Sequence, residues 1–152
     1  MRRMLPFLAS LLLFGARPVA AQLTVQALRN LNFGPVVQGQ AKSIAANDPI
    51  NSGQWQFIAT LGDQVRIQFT LPTRLNGPAG ATMPISFGNA DAIALGQGPT
   101  SVPVTFNPNT GGTFTLVSSN KIWIFLGGRV TPAANQRTGN YSNTVVLTIT
   151  IL

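Results

Sequence analysis

The sequence predicts an all-β chain, an immunoglobulin-like antiparallel β-sandwich, and three observations carry that prediction. Apolar residues recur at every second position in several short runs, which is the period of a strand. Those runs are separated by clusters of Gly, Pro and Asn, in a chain holding 15 Gly and 11 Pro. Apolar spacing of the helical kind is not convincing anywhere, which favours an antiparallel sandwich over parallel or helical folds.

At the N-terminus Arg2 and Arg3 precede an apolar run from Leu5 to Phe14 and a small-residue site, Val19-Ala20-Ala21. This is the layout of a secretory signal peptide over residues 1–21, with an apolar run too short for a stable membrane span. The Arg2-Arg3 pair also suits a twin-arginine route, though no polar lead-in precedes it; either route leads out of the cytoplasm. Removing the first 21 of 152 residues leaves 131, residues 22–152, enough for one domain with a real core.

Within that domain Leu23 to Leu28 and Leu31 to Phe33 are the first expected strands. Trp55, Phe57, Ala59 and Leu61 then alternate with polar residues, as do Val65, Ile67, Phe69 and Leu71. With Gly62-Asp63 between them, the two runs read as a hairpin with one apolar and one wetted face. A slip of one residue would expose four apolar side chains, at roughly 1.5–3 kcal/mol for each large one. Met83 to Phe87, Val102 to Phe106, Thr113 to Val117 and Lys121 to Leu126 follow as strands, with loops expected at Asn76 to Ala81 and Asn89 to Thr100. The chain closes on a strand in which Asn143, Val145, Leu147, Ile149 and Ile151 share one face. A long apolar strand of this kind must be covered within the sheet or by another chain, because an open edge templates association.

Composition narrows the chemistry. The chain has no His, Cys or Glu, and its carboxylate side chains are Asp48, Asp63 and Asp91. Histidine-activated nucleophiles, cysteine nucleophiles and zinc sites are thereby excluded. Each Asp occupies a turn or a loop of small residues, where its carboxylate can bond nearby backbone. No Ca²⁺ loop pattern is present, and neither Lys42 nor Lys121 lies in a nucleophile motif. The expectation is a protein that is not an enzyme and requires no cofactor or metal. Without cysteine its stability must come from burial. Loss of Arg2, Arg3 and Arg17 lowers the net charge from +7 to +4, and the remaining basic residues are scattered, so nucleic acid is not an expected partner. Asn140-Tyr141-Ser142 matches a glycosylation triplet, which is read as coincidence beside a bacterial-type export signal. Trp55, Trp123 and Phe125 are either core residues or a sugar-stacking platform.

Two separated stretches carry a family resemblance. Asn30-Leu31-Asn32-Phe33-Gly34, taken with Gly127-Gly128, Pro132-Ala133-Ala134-Asn135-Gln136, Gly139-Asn140-Tyr141 and Thr144 to Ile149, resembles the spore coat protein U group, and within it the cysteine-free relatives of unnamed function. Members of that group resemble archaic chaperone-usher pilins. The resemblance implies an incomplete immunoglobulin-like fold completed by a strand from a chaperone or neighbouring subunit. It implies a periplasmic chaperone, an usher and like subunits as partners, and export to the periplasm, cell surface or an extracellular fibre of a Gram-negative bacterium. By the same resemblance Leu23, Val25 and Ala27 form a donor face. Val145, Leu147, Ile149 and Ile151 line an acceptor groove, and Leu31, Phe33, Gly34, Gly128, Gly139 and Tyr141 are motif positions. Only nine residues, Gln22 to Asn30, precede Leu31, a span of about 30 Å when fully extended. Leu23 to Leu28 therefore reads equally as the domain's own first strand. The alternative function is a self-contained secreted or surface sandwich that binds a glycan or protein.

Overall fold

The computed structural model describes residues 23–96, 102–116 and 120–152. The expected signal peptide and Gln22 lie outside the described residues, as do the end of the expected loop at 97–100 and Val117 of an expected strand. Among the described residues twelve strands form three antiparallel sheets arranged as a β-sandwich. They are β1 (Thr24–Arg29), β2 (Lys42–Ile44), β3 (Gly53–Ile58), β4 (Gln64–Thr70), β5 (Arg74–Asn76), β6 (Thr82–Ser86), β7 (Ala92–Gly96), β8 (Val104–Phe106), β9 (Gly112–Thr115), β10 (Lys121–Leu126), β11 (Gly128–Val130) and β12 (Val146–Ile151). The large sheet runs β1-β3-β10-β7-β8, the second β2-β11-β6-β5, and the third β12-β4-β9.

The period-two reading holds for the core, but the hairpin does not. β3 and β4 follow one another through a turn at Thr60–Asp63, yet they belong to different sheets. β3 pairs with β1 and β10, while β4 pairs with β12 and β9. The physical reason is that both strands are amphipathic. Placed in facing sheets, Phe57 and Ala59 meet Val65 and Ile67 across one core with Ile124 of β10, Ala94 of β7 and Leu116. Leu61, expected on that core face, instead sits at the turn and is 56% exposed.

Three further expectations change. Leu31–Phe33 forms no strand, and the chain there is irregular beside the second core cluster. The expected loop after Asn89 contains β7, an interior strand between β10 and β8. Its Ala92 and Ala94 are buried, because a small side chain suffices where the large residues of β10 already fill the core. The closing strand is regular only from Val146, although Ser142 makes an isolated bridge to Asn76 further back.

β10 and β11 are one run of chain broken at Gly127, which lets the run leave the large sheet and enter the second. A Cβ on Gly127 would lie 2.4 Å from the Ile44 carbonyl oxygen and 2.6 Å from the Ala46 nitrogen. Both are backbone atoms and cannot rotate away. Gly127→Ala is therefore expected to cost about 1–3 kcal/mol of stability, measured as a lowered urea midpoint. Gly62→Ala, in a turn with positive φ but open space around it, is expected to cost about 1 kcal/mol or less.

Candidate functional site

The large sheet ends on β1 and the third sheet ends on β12, so each of these strands has one partner and one unpaired edge. Between the end of β1 and the approach to β12 lies an open groove of about 960 Å³. Ala27, Asn30 and Leu31 form one lip and Tyr141 to Val145 the other, while Trp55, Leu75, Met83, Ile85 and Val130 supply an apolar floor. The inner face of β1 stands open: Val25 is paired in register with the fully buried Phe57 and so points the same way, yet it is 42% exposed. Ala27, opposite Trp55, is exposed as well.

The second lip is held rigid by Tyr141. Its ring lies against Gly77 so closely that a Cβ there would come within 2.3 Å of the ring. Its hydroxyl donates to the Arg137 carbonyl at 2.7 Å and accepts from Gln136 Nε2 at 2.7 Å. Gln136 is buried at 8% exposure; its Nε2 also donates to the Thr82 carbonyl, and its Oε1 accepts from the Ala133 amide. This ties the irregular 131–142 segment to the sheet beneath it, as a buried amide must be tied.

The first lip is held by Arg29, the last residue of β1. Its guanidinium donates to the Ser52 carbonyl at 2.8 Å, to Ser52 Oγ at 2.9 Å, and to the carbonyls of Asp48 and Pro49. Asp48 organises the loop that receives it: Oδ1 accepts from the Ile50 and Asn51 amides at 2.8 and 2.7 Å. The Asn51 amide, then the Ile50 amide and the Asn51 side chain, hold the Asp48 carboxyl below its ordinary range, with a smaller contribution from Arg29.

Several expected site residues meet at this groove: Ala27, Leu31, Phe33, Gly34, Gly139, Tyr141 and Val145 all line it. Leu23, Leu147 and Ile149 instead pack against the main core, Ile151 is exposed, and Gly128 is buried in β11 against Phe87. Of the donor-face residues, Val25 and Ala27 belong to β1, which is paired within its own sheet, and Leu23 immediately precedes it. Residues the sequence reading did not single out are the floor, Leu75, Met83, Ile85 and Val130, which come together only because β5, β6 and β11 share a sheet. The three aromatic candidates separate. Trp55 faces inward, edge-on to Phe69 at 5.6 Å, and Trp123 and Phe125 lie on the opposite face of their sheet from the buried Ile124 and Leu126.

Each carboxylate is engaged in its own turn. Besides Asp48, Asp63 Oδ2 accepts from the Thr60 amide and Asp91 Oδ2 from the Gly88 amide. No helix among the described residues is long and apolar enough to cross a membrane. No family model matches the chain, and no curated protein matches it.

Two outcomes are expected from this geometry. Tyr141→Phe leaves the buried Gln136 amide and the Arg137 carbonyl each one partner short, and should lower stability by about 1–3 kcal/mol in chemical denaturation while keeping the fold. Because the folded pKa of Asp48 is depressed, its contribution is fully present above the unfolded pKa and is lost as pH falls through the folded one. Stability should therefore drop on acidification through the carboxylate range, and Asp48→Asn should flatten that dependence in thermal melts recorded as a function of pH.

Proposed function

We propose that this chain is an exported structural subunit that accepts an extended strand from another chain in the groove between β1 and β12, as its resemblance to the spore coat protein U group and archaic chaperone-usher pilins implies. The observation that carries this reading is the pairing of two features at one place. One lip continues from β1 and the other runs into β12, strands that each keep one unpaired edge, and apolar residues line the groove between them. A strand laid there would gain main-chain hydrogen bonds along an edge while alternate side chains cover the floor. The partners on this reading are a periplasmic chaperone, an usher and like subunits, and the site of assembly is the periplasm or the cell surface.

The pairing of β1 with β3 and the Arg29 anchor favour a second reading, a self-complete sandwich in which Leu23, Val25 and Ala27 serve their own sheet. The two readings meet if the chain accepts a strand while β1 stays in place, or if β1 is exchanged between copies.

The mature protein isolated from its native envelope, run unboiled and boiled in detergent, separates them. A ladder of heat-labile multimers is expected, and Val145→Asp, which puts a charge on the groove lip, should shorten that ladder. A single monomer band in both lanes would end the strand-accepting proposal.

A further inference from the structure

The outer face of the large sheet carries a second surface, remote in character from the groove. Register aligns Gln26, Gln56, Trp123 and Leu95 in one row across β1, β3, β10 and β7. A second row sets Gln54, Phe125 and Ile93 side by side. Trp123, Phe125, Leu95 and Ile93 are only half-buried, and none packs against either core cluster of the described residues. The side-chain amides of Gln26, Gln54 and Gln56 make no hydrogen bond within the described residues. Its carboxylate, Asp91, stands at the end of β7 and is taken up by the Gly88 amide. Its cations, Lys121 and Arg29, stand at its ends, and the Arg29 guanidinium is taken up by the 48–52 loop.

We propose that this face binds a neutral polysaccharide, with the Trp123 ring stacking on a sugar and the glutamine amides bonding its hydroxyls. Charge complementarity selects the ligand, since a row without charge has nothing to offer a polyanion or a basic surface. Hydrogen-bonding capacity selects against a dry protein interface. Each amide presents two donors and one acceptor oxygen, which an apolar partner would bury unpaired at a cost of about 1–3 kcal/mol for each unsatisfied group. A chain of hydroxyls supplies both donors and acceptors. The row spans three inter-strand spacings, about 14 Å, an extended array that suits an extended polymer.

The test is retention of the full mature chain on swollen amorphous cellulose and on insoluble xylan, with soluble heparin as competitor. Retention is expected on at least one neutral polymer, unchanged by heparin. Trp123→Ala should weaken it about tenfold or more, and Gln56→Ala several-fold. Gln56→Ala leaves the core untouched and keeps the test valid if Trp123→Ala fails to fold, while Arg66→Ala on β4 of the opposite sheet should bind as the parent does. The proposal is overturned if neither neutral polymer retains the parent chain, if heparin displaces it, or if Gln56→Ala binds as tightly as the parent. It is equally overturned if the face instead mediates self-association that Trp123→Ala abolishes in sedimentation.

Discussion

Everything in this structure depends on the burial of one apolar layer between two sheets that no covalent link holds together. Phe57, Val65, Ile67 and Ile124 are fully buried, and they come from strands of opposite sheets. With no cysteine in the chain, the tie between those sheets is packing. A row of rings extends the same layer: Trp55 meets Phe69, Phe69 stacks on Phe106 at 6.4 Å, and Phe106 meets Phe114 edge-on at 5.1 Å.

That layer is closed unevenly. Where β6 bridges β11 and β5, the second cluster of Met83, Ile85 and Val130 is sealed by strand pairing beneath it. Among the described residues no strand lies between β1 and β12, and the same cluster of Met83, Ile85 and Val130 forms the floor of the groove there. The lips are nevertheless well ordered by polar ties, Arg29 on one side and Tyr141 with Gln136 on the other. A groove whose walls are fixed before anything enters it loses less conformational entropy on filling. On the proposed reading that order would lower the cost of receiving an extended chain, and the unpaired edges would favour a strand over a helix.

The two surfaces of the large sheet divide the aromatic residues between them. Trp55 serves the inside, while Trp123 and Phe125 stand outside among glutamines. Adjacent strands with the same residue types thus do unlike work, since successive side chains point to opposite faces.

The sequence by itself determined which residues share a face along β3, β4 and β12. Period-two alternation marked Phe57, Val65 and Ile67 for a buried face and set Leu147 and Ile149 together on one face of the last strand, and β10 was legible from Lys121 to Leu126 as an apolar run bounded by turn residues. The turn roles of Asp48 and Asp63 were legible too, since their carboxylates act on backbone within three residues. Tertiary structure alone decided which strand pairs with which. A turn at Gly62-Asp63 is equally compatible with a hairpin and with a crossing between sheets, and the choice was made by what else competes for the edges of β3 and β4. Ala92–Gly96 escaped notice because its small residues carry little hydrophobic signal until the bulky side chains of β10 surround them. The groove floor was invisible for the same reason: Leu75, Ile85 and Val130 are far apart in sequence, and only long-range pairing sets them beside Tyr141.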